Sequence, residues 1–451
     1  MTNLGNPDNV GILGLEVYFP KDYVGQAELE AFDGVSKGKY TTGLGQKNMA
    51  VCDNAEDIVS MCLTVLEQLM NKYQLLYEDI GRLEVGTETL IDKSKSVKTF
   101  LMEQFNRHHV FDVLGVDSIN ACYGGTNALF NAVNWVESSS YNGKFAIVIC
   151  GDIALYERGA ARPTGGAGAV AMLVGKDAPI CLETKHIASH FEHIYDFYKP
   201  QMNSEYPVVN GLLSNIAYMR SLAACYTNYK RLYQRHHDMP FELQKHTNYA
   251  IFHSPYTKLV QKAFTKLNNL DELEAGVPEN RKHEKASLQK ASKTFGQVVA
   301  PGLLLARECG NMYTGSVYAS LASIIRHETA SNVDTDEATT QEASIKRTLV
   351  FSYGSGSGAS MFSLLMDTTH PKFKEIAQHF TWAEQLSQRN KLSPEAYHQR
   401  LYEREKQYQA GLPKRLVTMP IPSHLFEHTY YCKSIDPLGQ RVYTKVSDET
   451  P

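Results

Sequence analysis

The chain has 451 residues, of which 43% are hydrophobic and 21% charged, with a formal net charge of −4. This is the balance of a folded globular protein long enough for two or three domains, or for two halves fused around one core. Basic charge is not concentrated anywhere, which argues against a nucleic-acid binder but leaves room for a local basic patch that grips phosphate.

Met1 to Asp8 carry neither a basic region nor an apolar core, so the reading gives no secretory or transit peptide. With no apolar run long enough to span a bilayer, the expected location is cytoplasmic. A strand-like run covers residues 10–18. Ile58, Cys62, Val65, Leu66 and Leu69 then repeat at helical spacing, with Asp53 and Asn54 as candidate caps. A strand over 82–87 ends at Gly86-Thr87-Glu88-Thr89. A strand-like 116–120 leads into Cys122 and a helix marked by Ala128, Leu129, Ala132, Val133 and Val136. Further strands are expected at 144–151, 167–175, 249–253, 347–353 and 359–366. Strands alternating with helices give an α/β class. Residues 268–292, 328–344 and 382–409 are polar and read as exposed surface, the last as solvated helices.

The order of parts repeats. Asn120-Ala121-Cys122-Tyr123-Gly124-Gly125-Thr126, a helix, a strand and Thr164-Gly165-Gly166-Ala167-Gly168 are echoed by Gly310-Asn311-Met312-Tyr313-Thr314-Gly315-Ser316, a helix, a strand and Gly354-Ser355-Gly356-Ser357-Gly358. The echo suggests duplication, with halves expected at 1–176 and 177–451.

Of the eight cysteines no two are spaced CxxC, so no thiolate zinc site is read and most are expected to be buried, reduced and inert. Cys122 stands apart. At a strand-to-helix junction the positive end of the helix dipole would lower its pKa and favour thiolate. Gly124 and Gly125 in the first turn cost about 1 kcal/mol each against alanine, which implies close backbone approach; the alternative is a buried structural thiol. His253 ends a strand before Ser254-Pro255, a candidate N-cap and first helical residue, at the strand end where α/β folds bind ligands. Lys258 and Lys262 share one helix face and could grip phosphate, or simply be solvated. Glu88, just past a strand end, could be desolvated into a general acid/base, or be an ordinary loop glutamate. The two glycine-rich runs are neither Walker nor Rossmann loops; they could feed N–H groups to an oxyanion or make tight hairpins. His108-His109, His236-His237 and His190-Phe191-Glu192-His193 lack metal-ligand spacing, and no metal site is read.

Seven segments in order resemble the eukaryotic type of 3-hydroxy-3-methylglutaryl-CoA synthase: Lys39-Tyr40-Thr41 with Gly43-Leu44-Gly45-Gln46; Gly86-Thr87-Glu88-Thr89 with Asp92 to Lys98; Asn120 to Thr126; Ala161-Arg162-Pro163-Thr164-Gly165-Gly166; Phe252-His253-Ser254-Pro255 with Lys258 to Lys262; Gly310 to Thr314; and Ser352-Tyr353-Gly354-Ser355-Gly356. The resemblance implies a thiolase-like fold of duplicated αβαβα halves with the active site between them, and a homodimer. It implies condensation of acetyl-CoA with acetoacetyl-CoA and water, as in the mevalonate route to isoprenoids, with no metal or redox cofactor.

By the same resemblance Cys122 matches the acetyl-accepting nucleophile. Glu88 matches the acid/base, and His253 the histidine that positions acetoacetyl-CoA. Asn311 and Ser355 match pocket residues, Thr164 and Ser214 acyl-pocket or CoA contacts, and Lys258 and Lys262 CoA-associated lysines. Backbone N–H groups of Cys122 and of the Gly354-Ser355-Gly356 turn are the expected oxyanion donors. A thiolase or an initiating ketoacyl synthase would use a second cysteine or a histidine pairing where this chain has Glu88. The chain departs from the family's pattern at Ala160, where many members have asparagine, and at Ser36-Lys37.

Overall fold

The β-branched runs become the centre of one ten-stranded sheet in the computed structural model, which describes residues 9–274, 292–331 and 345–446. In chain order its strands are β1 (Gly11–Tyr18), β2 (Ile80–Gly86), β3 (Asp117–Ser118), β4 (Phe145–Ala154), β5 (Gly166–Gly175), β6 (Ile180–Leu182), β7 (Ala188–Phe191), β8 (Tyr249–Phe252), β9 (Ile345–Gly354) and β10 (Gly358–Asp367). Across the sheet they run β8-β9-β10-β6-β1-β5-β4-β2-β3, with β7 beside the first part of β10. β1 and β5 are buried at every residue, which is why they read as continuous apolar runs rather than alternating ones.

The echo in the sequence is an echo in topology. In the first half β2 and β4 are parallel and β4 turns back antiparallel into β5; in the second, β8 and β9 are parallel and β9 turns back into β10. One helix in each half leads into the long hairpin: α2 (Gly124–Glu137) before β4 and α5 (Ser316–Ser331) before β9. The matching residues Ala121 and Tyr313, which precede these helices, both adopt left-handed backbone, with φ of 43° and 42°. The halves join where β1 meets β6, Gly11 opposite Cys181 and Ile12 opposite Ile180.

The starts of α2 and α5 touch. Gly125 N–H donates to Thr314 Oγ1 at 2.5 Å, and Thr126 Oγ1 lies 2.9 Å from Tyr318 Oη and 2.8 Å from Ser352 Oγ. The glycines permit this approach. A Cβ on Gly86 would sit 2.2 Å from Gly125 N, and one on Gly125 would sit 2.5 Å from Cys150 Sγ.

Several local expectations need correction. Helix α1 (Ile58–Lys72) is capped by Asp57 in a reciprocal pair with Ser60, not by Asp53 or Asn54. Ser254 does not cap helix α4 (Thr257–Glu274); its buried hydroxyl has no hydrogen-bond partner. The Gly354–Gly358 run is a hairpin, but the Gly165–Gly168 run is not: Gly166 bridges to Gly310, and Gly165 O accepts from Asn311 N–H at 3.0 Å. The polar stretch 382–409 is not wholly solvated. Trp382 is fully buried, and Arg404 of α6 (Pro394–Ala410) is partly buried and ion-paired to Glu205 at 2.6 Å. Most of 268–292 and 328–344 lies outside the described residues; of the described part, Asn268 and Glu328 are buried. Among the described residues no helix is long and apolar enough to cross a membrane.

Gly86→Ala places a methyl group between two backbones, neither of which can rotate away. It should lower stability by about 3 kcal/mol, the upper range for overpacking, read as a fall in the denaturant midpoint. An unchanged midpoint would show that β2 and α2 are not packed this closely.

Candidate active site

Cys122 lies one residue ahead of Tyr123, the N-cap of α2, on the sharp turn that the left-handed Ala121 creates. Left-handed backbone costs a non-glycine residue roughly 1–2 kcal/mol, and such strain gathers at functional sites. The turn carries the thiol inward, to a small box formed with Ala154, Tyr156 and Tyr313 and bordered by Ala161 and Phe197.

Burial decides the charge of this thiol. It pushes the Cys122 pKa well up, the Glu88 and Asp152 carboxylates push further, and the Lys199 ammonium opposes them. The expected thiolate at a helix N-terminus is therefore corrected: desolvation outweighs the dipole, and the resting sulfur is a thiol. It needs a base, and one is adjacent. Cys122 Sγ is 3.8 Å from Glu88 Oε2.

Glu88 follows β2 with its side chain 7% exposed, but it is not the lone carboxyl that its loop position suggested. Lys199 Nζ meets its other oxygen, Oε1, at 2.8 Å. Lys199 lies over the rings of Tyr313 and Phe197, 4.9 and 5.8 Å from their centroids. Burial works against the Lys199 ammonium, yet the Glu88 carboxylate raises its pKa overall.

The loop bearing Glu88 is fixed by Asp152, near the end of β4. Asp152 Oδ1 accepts from Glu88 N–H at 2.8 Å, Thr89 N–H at 3.0 Å and the hydroxyls of Thr87 and Thr89, each at 2.8 Å. Its Oδ2 accepts from Thr314 N–H of the second half at 3.2 Å. Burial and the neighbouring Glu88 charge push the Asp152 pKa up to about 7, against Lys199 and the threonine hydroxyls.

His253, just past β8, is fully buried and its Nδ1 has no hydrogen-bond partner. Burial pushes its pKa down to about 3, so it is neutral at pH 7. Its backbone is held on both sides: its N–H donates to Phe351 O at 2.8 Å and its carbonyl accepts from Tyr218 Oη at 2.9 Å. Tyr218 belongs to α3 (Gly211–His237), one turn beyond Ser214, which puts Ser214 at the same end of the sheet. β9 carries the neighbouring end towards Cys122: a Cβ on Gly354 would meet Asn120 O at 2.5 Å and Tyr123 N at 2.7 Å.

The remaining sequence candidates fall around this centre. Thr164 donates to Ala161 O at 2.7 Å and hydrogen-bonds Tyr156 of the thiol box. Asn311 is turned to structure: its Oδ1 accepts from Tyr313 N–H at 2.8 Å and Ser316 Oγ at 3.0 Å. Ser355 sits in the β9–β10 turn and hydrogen-bonds Tyr353. That turn is pinned by Asp196, which accepts from Gly356 N–H at 2.8 Å and Tyr353 Oη at 3.1 Å. The Gly356 amide is thus committed, which removes it from the expected oxyanion donors. Lys258 and Lys262 do not reach Cys122. They line a groove of ≈ 410 Å³ with Lys266, and Lys258 also lines a second, of ≈ 490 Å³, with Lys47 and Arg307.

With this geometry in place, comparison with known proteins decides the family. Residues 6–179 match the hydroxymethylglutaryl-coenzyme A synthase N-terminal model, and 180–278 and 276–446 match the C-terminal one. The chain belongs to the hydroxymethylglutaryl-CoA synthase family. It is 44% identical to hydroxymethylglutaryl-CoA synthase A of Dictyostelium discoideum, over 97% of this chain and 91% of that one. It is 45% identical to hydroxymethylglutaryl-CoA synthase erg13B of Aspergillus fumigatus, over 97% and 98%. Synthases named mitochondrial and synthases named cytoplasmic both occur among its relatives. The solved structure of MvaS in complex with 3-hydroxy-3-methylglutaryl coenzyme A superposes with a TM-score of 0.83 at 29% identity, covering 97% of this chain and 99% of that one. The fold is the expected thiolase-like α/β one.

Sequence reasoning missed Lys199, Asp152, Asp196 and Tyr156. Lys199→Met removes the cation beside Glu88 and should lower turnover about 10- to 100-fold, less than the 10²–10⁴ of an acid/base group itself. Turnover equal to wild type would show that Lys199 only packs.

Proposed function

We propose that this protein condenses acetyl-CoA with acetoacetyl-CoA and water to give 3-hydroxy-3-methylglutaryl-CoA and CoA, as the mevalonate pathway to isoprenoids requires. The observation that carries this reading is the buried Cys122 thiol 3.8 Å from a carboxylate that is itself ion-paired to Lys199. The thiol packs with Ala154, Tyr156 and Tyr313, a mainly apolar surround for the acetyl group.

The reaction begins when Glu88 takes the Cys122 proton as the sulfur attacks the thioester carbonyl of acetyl-CoA; the C–S bond to CoA breaks, and Glu88 passes that proton to the departing CoA thiolate, which leaves Glu88 free as a base. Glu88 then removes a proton from the acetyl methyl group. The resulting carbanion, its charge delocalised into the enzyme thioester, attacks the ketone carbon of acetoacetyl-CoA. His253, neutral because it is buried, donates a hydrogen bond to that ketone oxygen without competing for protons at pH 7. Glu88 returns its proton to the new tertiary alkoxide, and water cleaves the thioester to release product and regenerate Cys122. Dividing the condensation into unimolecular steps on one covalent intermediate replaces a three-body encounter. Lys199 keeps a cation against Glu88 through both proton transfers. The basic grooves along α4, next to His253, suit the phosphates of CoA; Thr164 and Ser214 border the acyl and pantetheine path, and Asn311 and Ser355 shape the far wall. The residues themselves supply every proton acceptor and donor in this scheme, so it invokes no cofactor.

A homodimer is part of the same proposal. The strand at one edge of the sheet, β3, is flanked by Leu114, Val116 and Ile119, which are 50, 59 and 57% exposed, with Phe111 nearby at 69%. An apolar run on an open edge invites a second copy of the chain. The same proposal divides the halves at 176/177, where the chain leaves β5 for β6.

Loss of acetoacetyl-CoA enolate absorbance should require acetyl-CoA and proceed in the metal-free enzyme. Cys122→Ala should show none. Glu88→Ala should lose at least about 10²-fold in rate, the lower bound for a general acid/base. Wild-type condensation by Glu88→Ala would remove the proton-transfer role; no loss in the folded, reduced wild type would mean a different acyl pair.

A further inference from the structure

Away from this site, Glu183, His186 and His237 converge. Glu183 follows β6, His186 ends the short turn Thr184–His186, and His237 is the last residue of α3. Their ligand atoms all lie within 4.8 Å of one another. His186 is 4% exposed, and neither of its ring nitrogens has a hydrogen-bond partner among the described residues. Its ring stands 4.9 Å from that of His237 and 5.5 Å from that of His236, against Tyr233. A buried imidazole with both nitrogens unmatched is costly unless something else takes a lone pair.

The carboxylate is oriented for that. Glu183 Oε2 accepts from Arg347 Nε at 2.8 Å and Ser363 Oγ at 2.5 Å, which uses both its lone pairs. Oε1 accepts only from Arg347 Nη2, at 3.0 Å, leaving one lone pair on the oxygen that stands 3.7 Å from His186 Nδ1. Two ligands on a tetrahedral ion at metal–ligand distances of about 2.0–2.1 Å are themselves roughly 3.4 Å apart. Arg347 fixes the carboxylate from outside, as hydrogen-bonded partners of metal ligands commonly do. His237 stands at the C-terminal, negative end of α3, which favours a cation.

We propose that Glu183, His186 and His237 form a binding site for one zinc-class divalent ion, with its fourth position open to water or to His236. Two imidazoles and one carboxylate suit zinc rather than magnesium or calcium, which prefer all-oxygen sets. The ion would tie β6, its following turn and the end of α3. Ser214 lies at the other end of α3, about 35 Å away at 1.5 Å per residue, so the site is structural and stands apart from the thiol chemistry. The His236-His237 pair, for which the sequence suggests no metal site, gains a partner that only the fold supplies.

Titration of the reduced, chelator-stripped full chain with Zn²⁺ by calorimetry tests this, with Co²⁺ absorption as a second reading of the ligand set. The wild type should bind one ion saturably and gain thermal stability. His237→Gln, at an exposed position, should keep its metal-free melting temperature and bind at least tenfold more weakly; His186→Gln should lose both the binding and the stabilisation. No saturable binding by the wild type, or unchanged affinity in His237→Gln, would overturn the proposal even if His186→Gln failed to fold.

Discussion

The buried carboxylate of Asp152 is the constraint on which the site depends. It receives hydrogen bonds from Thr87, Glu88 and Thr89 of one half and from Thr314 of the other. Thr314 in turn takes the Gly125 amide at the start of the helix that follows Cys122. Cys122, Glu88 and the junction of the two halves are thus referred to one residue. A loop carrying the proposed base would ordinarily move; held by two of its own amides, this one cannot without breaking several buried hydrogen bonds at once.

Electrostatics in the site follow from burial. The thiol box is buried, so charges there are felt strongly and isolated charges are penalised. The thiol stays protonated, His253 stays neutral, and Glu88 is ion-paired to Lys199. The proposed chemistry is therefore proton exchange through Glu88 rather than attack by a preformed thiolate. Cys122 differs in this from nucleophiles at exposed helix starts, whose thiolate the dipole can sustain.

How much of this was legible in the sequence depended on how local the determinant was. Strand runs emerge within a few residues of their ends because strands buried on both faces are apolar throughout. Glu88, Cys122 and His253 stood out through their place at strand ends and turns. Asp152 escaped because the expected strand stopped at Gly151; extending it would have left an aspartate in an apolar strand, a buried acid that demands partners. Lys199 and Asp196 come from a stretch with only two-residue strands and no periodicity, so nothing local sends them to Glu88 and the β9–β10 turn. The cap of α1 moved to Asp57 because Ser60, not sequence proximity to a polar pair, completes the reciprocal hydrogen bonds. The exposed reading of 382–409 failed for a similar reason: Arg404 finds Glu205 only across the fold.

The repeated topology places different residues at equivalent turns. Ala121 and Tyr313 share their left-handed turn, yet the residue that follows is Cys122 in one half and Thr314 in the other, the latter spent on holding Gly125 and Asp152. The most direct test of the account is peptide mapping by mass spectrometry after the protein is mixed with acetyl-CoA alone and quenched in acid. The account predicts one acetyl group, on the peptide containing Cys122 and on none of the other seven cysteines. Acetyl on another residue, or none on a folded and reduced chain, would contradict it.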